Sequence, residues 1–326
     1  DINEMPSNAL YVEGSVLCRL LMGTIGLQPV RSNRVLALIQ AHPDQIFTDL
    51  ATNAVNAARS SYGLICPGIF EMDQSLVMSP WYTGSARAAG RVEGFERLFE
   101  LLDEHRDDYD AVAISSVIST PFHYYGDYFL SDGDMVNPWG GVESMLTHTI
   151  SSRYNLPSAH APMLESQDVL DIETGVVDPR MAAEIISVSF LQCVLKGLQR
   201  SPKILTDEES MREPGVFTAR DVSCLVIPNG CLGLPTLAAL EQGIPVIAVR
   251  ENTNLMKNDL TELPWAIGQL HIVENYWEAA GVLAALKAGI DPVAVRRPFG
   301  AAGLEKTSAN PAESGAKSEI PELLST

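Results

Sequence analysis

Basic side chains are scarce in this sequence. Its 326 residues hold 22 Lys and Arg against 41 Asp and Glu, a formal charge of −19. Nucleic-acid binding leans on cations that neutralise phosphates, so that class is disfavoured. An anionic membrane surface would repel such a chain as well. Charged residues are only 19% and hydrophobic residues 46%, so the signature of disorder, low hydrophobicity with high charge, is missing from the body of the chain. Cysteine is sparse too. Cys18, Cys66, Cys193, Cys224 and Cys231 are odd in number and show no CxxC spacing. They form neither a disulfide framework nor a zinc motif and suit a reducing compartment. No apolar run is long enough to span a membrane. The longest uncharged stretch, between Asp221 and Glu241, is broken by Pro228, Asn229, Gly230, Gly233 and Pro235. Asp1 to Asn8 is polar and acidic, unlike a signal peptide, and the start at Asp rather than Met predicts a processed chain or a fragment.

What is present reads as an α/β protein of one or two domains. Arg34–Ile39 and Asp110–Ile118 are near-continuous apolar runs, the pattern of strands buried on both faces of a parallel sheet. Leu64–Phe70 is a second possible strand, weakened by Pro67 and Gly68. Helical patterns cover Asp44–Ser60, Ala86–Arg106 and Gly141–Tyr154. Between them, residues 119–141 read as a long loop rich in aromatics, Gly and Asp, and loops of that length are usually functional or mobile. Asp178-Pro179 supplies an N-cap and a first-turn proline for a helix predicted to run to Gln199. Its apolar stripe covers most of its circumference, which predicts a place in the core or in a subunit interface. Val222–Ile227, Leu232–Gln242 and Ile244–Val249 make a βαβ unit closed by Gly243. His271–Val273 and Tyr276–Ala288 add a strand and a helix. The expected architecture is a mostly parallel, Rossmann-like sheet with helices on both faces, as one body or as two lobes. The lobes would be 1–200 and 201–298, followed by a disordered tail over 299–326.

Four stretches carry a resemblance to a known family. They are Val226–Gly233 with Gly243–Asn252, Asn8–Gly14, Ser158–Met163 and Val177–Glu184. The chain resembles the domain of unknown function 3326, found mainly in photosynthetic bacteria and plastids. The resemblance implies no activity and no catalytic residue. It implies a location in the cytoplasm or the plastid stroma. It also implies a glycine-rich segment ahead of Asn8, which this chain does not show. If that segment forms a first phosphate loop, the binding module is incomplete here.

Five groups of residues are candidates for chemistry. The turn Pro228–Gly233 leaves a strand and opens a helix, so Asn229, Gly230, Gly233 and Thr236 are placed to meet an anion at the carboxyl edge of the sheet. The alternative is a tight turn whose glycines serve packing, because the stretch is neither a P-loop nor GxGxxG. Arg250–Asp259 follows the next strand, and Asn252, Asn254 and Lys257 offer donors and a positive charge; the alternative is a polar loop turned by its Asn residues. Ser116 and Ser119 end the Asp110 strand and lead to His123 and Asp127, which would do acid–base work. Asp132 and Asp134 follow as weak metal ligands, with a solvated acidic loop as the alternative. Ser158–Pro162 with Glu165 brings His160, and His148 would join it; a hydrogen-bonded structural histidine is the alternative. Cys231 stands near a helix N-terminus, where a thiol is activated. With Cys66 it would suit a two-base racemase, but neither cysteine has the flanking Asn-Thr or Thr-His of those enzymes, and a structural thiol is the alternative.

The functional expectation is a protein that binds a small anionic, phosphate-bearing ligand, with group transfer as the natural reaction. Gly233, Pro235 and Thr236 before Gly243–Val249 resemble the nucleotide-sugar half of two-domain glycosyltransferases, although Glu241 lies too deep to serve as the ribose ligand. The other expectations are a non-catalytic homo-oligomeric scaffold or assembly factor, and a metal-dependent hydrolase or lyase. No motif names a cofactor.

Overall fold

The structure is a computed structural model, and it describes residues 8–130, 135–172, 175–179, 181–185 and 190–304. Along the first half run α1 (Gly14–Leu21), β1 (Gly26–Gln28), β2 (Val35–Gln40), α2 (Gln45–Tyr62), β3 (Ile69–Met72), β4 (Val77–Tyr82), β5 (Ala88–Glu93), α3 (Phe95–Glu104), β6 (Ala111–Val117) and α4 (His123–Phe129). Next come α5 (Gly140–Tyr154), β7 (Ser158–Met163), α6 (Gln167–Leu170), α7 (Ala182–Ile185), α8 (Leu191–Gln199), β8 (Lys203–Leu205) and α9 (Glu208–Met211). The chain continues through β9 (Leu225–Pro228), α10 (Leu234–Gln242), β10 (Val246–Val249), β11 (Leu270–Val273) and α11 (Tyr276–Lys287).

The central sheet is parallel throughout, in the order β3-β2-β6-β7. All six residues of β2 are buried, as are the first six of β6. That is why their sequences read as unbroken apolar runs. One face carries Val35, Ala37, Ile39, Ala111, Ala113, Ala159 and Ala161 against α2 and α8. Alanine there lets helices approach the strands closely. The other face carries Leu36, Leu38, Val112 and Ile114 against α3 and α5, together with Met78 of the β4–β5 hairpin. Helices therefore cover both faces, as expected of a mixed α/β protein with a parallel sheet.

The parallel strands fall into two sheets rather than one. The second has the order β11-β10-β9, also parallel, with Val246 level with both Leu225 and Leu270. Ala238 and Ala239 of α10 pack into its core with Ile227, Val246 and Ala248. The βαβ unit stands as predicted: Pro235 lies in the first turn of α10 and Gly243 closes it at φ 70°. Leu21 of α1 joins this core, and β1 pairs antiparallel with β8. The expected boundary at residue 200 is thus crossed by the first strand. Residues 1–280 form one compact unit and 281–326 a second. In the second, Asp291 Oδ1 accepts the N–H of Val293 to start a short 3-10 turn. Of the expected tail, 299–304 carry no helix or strand and 305–326 lie outside the described residues.

Four local expectations need correction. The helix over Ala86–Arg106 is half strand: β5 pairs with β4, and α3 begins only after Gly94 turns the chain at φ 78°. The loop over 119–141 contains α4. The strand expected from Leu64 begins at Ile69, beyond Pro67 and Gly68. The helix from Asp178 is described as two segments, α7 and α8, on either side of 186–189, which lie outside the described residues.

Candidate functional site

Parallel strands bring their carboxyl ends to one edge, where ligands of open α/β sheets bind. At that edge β6 and β7 lie side by side, with Ser116 level with Pro162. Just beyond them is a cavity of about 390 Å³. Ile118, Met163 and Leu164 line it from the strand ends. Tyr125 and Phe129 come from α4, Trp139 and Glu143 from the start of α5, and Glu184 from α7.

The aromatic wall is held in place from behind. Trp139 Nε1 donates to Thr120 Oγ1 at 2.9 Å, and the Thr120 N–H donates to Glu165 Oε2 at 3.2 Å. The rings of Tyr125 and Tyr128 stand 5.2 and 5.4 Å from that of Trp139. Asn137 Oδ1 accepts the N–H groups of Trp139 and Gly140, which starts α5. His42 ties β2 to the loop after β7: its Nδ1 accepts the Asp44 N–H, so its Nε2–H donates to the Leu164 carbonyl at 3.1 Å.

A chain of hydrogen bonds reaches the cavity from inside the sheet. Ser116 Oγ lies 2.9 Å from His160 Nε2, and His160 Nδ1 lies 2.9 Å from Glu143 Oε1. A carboxylate accepts, so Nδ1 carries a proton, and Nε2 of the neutral ring accepts the Ser116 hydroxyl. The order is that of a serine–histidine–acid relay. The burial differs, however. Ser116 is 0% exposed, does not line the cavity, and has Met78 Sδ 3.4 Å from its Oγ. It therefore clamps the histidine tautomer and does not face a ligand. The His160 side chain is itself only 1% exposed.

Glu184 completes the polar lining. Burial pushes its carboxyl above the usual range, and the nearby Glu143 adds to the rise; a hydrogen bond with Tyr128 partly offsets both. Two carboxyls in one cavity with one biased towards its protonated form make an acid–base pair. The sign for stability follows. A raised folded pKa gives stability that is complete below the unfolded carboxyl value of about 4.3 and lost as pH rises through the folded one. Glu184→Gln should therefore raise the urea midpoint at pH 7 and leave it nearly unchanged below pH 4. Equal midpoints for both proteins at pH 7 would show that Glu184 ionises there without cost.

Behind Glu143 and His160 lies a second cavity of about 310 Å³, which the same two residues also line. Its remaining wall is mixed: polar Tyr11, Glu13, Ser144 and His148 stand beside apolar Val12 and Leu198. His148 Nε2 pairs with Glu13 Oε1 at 2.6 Å. The Tyr11 hydroxyl is pushed up to about 12, by burial first and then by Glu143 and Cys193.

The other sequence candidates lie elsewhere. Ser119 is exposed, with its N–H on the Met78 carbonyl. His123 and Asp127 are exposed, one turn apart on α4, and do not line the cavity. Asp132 and Asp134 lie outside the described residues. Among the described residues, no three His, Cys, Asp or Glu side chains are grouped to hold a metal ion. The turn after β9 and the loop after β10 do meet, but through each other. Asn254 Nδ2 donates to the Asn229 carbonyl and Asn258 Nδ2 to that of Gly230. Asn252 Nδ2 donates to the Tyr276 hydroxyl, and the buried Thr236 Oγ1 to the Cys231 carbonyl. Gly230 has φ 85°, and a Cβ there would stand 3.1 Å from the Met256 carbonyl oxygen. Gly233 is the N-cap of α10 in extended backbone, where a Cβ would meet Pro235 Cδ at an ordinary 3.7 Å, and Lys257 is exposed. Burial pushes the thiols of Cys231 and Cys66 up, the opposite of what a helix N-terminus was expected to do for Cys231. None of the five cysteines is disulfide-bonded.

Of the cavity's polar groups, His160 was legible through its Ser158–Pro162 stretch. Glu143 and Glu184 were not. Their signal was weak: each is a single acid in the first turn of a helix, where acids are common for electrostatic reasons alone.

Among the described residues no helix is long and apolar enough to cross a membrane. No solved structure matches the chain. A protein of Synechococcus sp. that carries the name uncharacterized lipoprotein is 30% identical over 290 residues, covering 88% of this chain and 78% of that protein. The family model described as "Protein of unknown function (DUF3326)" matches residues 1–296. The chain belongs to that family.

Proposed function

We propose that this chain binds a small, largely apolar molecule in the cavity beyond β6 and β7 and carries out acid–base chemistry on it. One observation carries the reading: the hydrogen-bonded chain Ser116–His160–Glu143 ends at a cavity that Glu184 also lines. Glu184, biased towards its protonated form, gives a proton to the bound molecule. Glu143, oriented by His160, takes one up. The aromatic wall excludes water and strengthens both interactions. The volume of about 390 Å³ lies within the range of small-molecule sites.

The test is a ligand-observed NMR screen of a fragment library against the wild-type chain and Val169→Trp. Val169 is half-buried and lines the cavity, so the larger ring should fill it. Fragments that bind the wild type should be lost in the variant, with its circular dichroism unchanged. Hits that survive the substitution would place binding elsewhere. Organic phosphates that bind the wild type and are lost on Lys257→Ala would support the second reading, an anion at the turn after β9. That reading rests on the N-terminus of α10, whose N-cap Gly233 offers no capping side chain. A screen without hits would favour the oligomeric scaffold. The proposed location is the cytoplasm or the plastid stroma, in keeping with five cysteines that form no disulfide. The name of the Synechococcus relative supports a rival, attachment to a membrane through a lipid.

A further inference from the structure

We propose that the cavity's ligand is an organic cation, an ammonium group on an apolar ring or chain. The inference rests on the binding reading above and adds the charge of what is bound. Three features of the lining point to it. First, besides the Tyr125 hydroxyl its ionisable groups are Glu143, Glu184 and His160, and among the described residues it contains no Lys or Arg. One imidazole faces two carboxyls, so carboxylate is the charge in excess there. An anion would have to be buried beside two carboxyls without a counter-charge, which is strongly unfavourable. Second, Tyr125, Phe129 and Trp139 surround the same space. Aromatic faces carry negative potential and attract ammonium groups, most strongly where water is excluded. Third, Ile118, Met163, Leu164 and Ile172 supply an apolar remainder that suits a hydrocarbon body. The charge of the whole chain, −19, would raise the local concentration of a cation and lower that of an anion.

An ammonium beside Glu184 would also favour its ionised form. Binding would then release a proton, and affinity would rise as pH passes upward through the raised carboxyl value.

A matched series tests this: tryptamine, tryptophol and indole-3-propionate, which share a ring and differ in charge. Titration calorimetry of the full chain at pH 7 should show tryptamine binding about tenfold more tightly than tryptophol, and no measurable binding of the carboxylate. Glu184→Gln should weaken tryptamine about tenfold while leaving tryptophol within about twofold. Equal affinity for amine and alcohol, both lost on Val169→Trp, would overturn the cation assignment and leave the cavity reading standing. Tightest binding of the carboxylate would overturn it as well. Absence of binding by all three would overturn the assignment together with the cavity as a site for two-ring molecules. If Val169→Trp fails to fold, Ile172→Trp, on the same wall, serves in its place.

Discussion

Gly94→Ala is expected to cost about 3–5 kcal/mol of stability, the largest loss from adding a single methyl group at any glycine among the described residues. Two penalties combine there. Gly94 has φ 78°, a region that alanine enters at a cost, and an added Cβ would lie 1.9 Å from the Ser75 carbonyl oxygen and 2.5 Å from its carbon. Both atoms are backbone and cannot swing away. Gly63 supplies the control, because it has φ 69° at the end of α2 and nothing within 4 Å of a built Cβ. Gly63→Ala should cost only about 1 kcal/mol. Urea unfolding of the two variants separates the conformational cost from the clash. Equal losses would mean that the β4–β5 hairpin yields to the methyl group.

His160→Ala is expected to cost about 2–4 kcal/mol, more than the removal of its packing would suggest. The substitution leaves the Ser116 hydroxyl buried with its nitrogen acceptor gone, and it strips Glu143 of the donor that orients it. The hydroxyl is left with only the weak thioether acceptor of Met78, which does not make up for its lost hydration. Ser116→Ala in the His160→Ala background should therefore recover part of the loss. Adding the two single effects would overestimate the double. A strictly additive cycle, measured by denaturant unfolding of the four proteins, would show that the serine and the histidine are not energetically linked.

The sequence made some elements plain and hid others, for identifiable reasons. β2, β6 and the β9–α10–β10 unit announced themselves through apolar runs and through Pro235 and Gly243 at the helix ends. β7 did not, because Ser158, His160 and Pro162 break its apolar pattern. Those residues are the ones that face α5 and the cavity, so the polar interruption and the site have one origin. β4 and β5 were concealed because Ala88–Glu93 runs straight into the amphipathic α3, and only the backbone at Gly94 separates them. α1 is capped by Glu13 rather than by Ser, Thr, Asp or Asn, so no start signal marked it. For the site, Ser116, His148, His160 and Glu165 could be singled out by type and position. Their assembly could not, because Glu143 and Glu184 reach the cavity from two separate helices, one before β7 and one after it. At the turn after β9, Asn254 and Asn258 donate to backbone carbonyls that only the folded chain brings near, a contact that sequence spacing does not show.

The antiparallel pairing of Gly26–Gln28 with Lys203–Leu205 orders the assembly of the chain in time. On a ribosome, β1 must wait for nearly 180 further residues before its partner exists. α1 must wait longer still for α10, against which it packs. The four strands of the central sheet are complete once residue 163 has emerged, and α8, which covers one of its faces, follows by residue 199. The cavity edge can therefore form, with α1 able to dock on α5, while β1 and the side of α1 that meets α10 still lack their partners. β1 is thus paired well after the central sheet is complete, and long sequence separation between contacting elements is what slows folding.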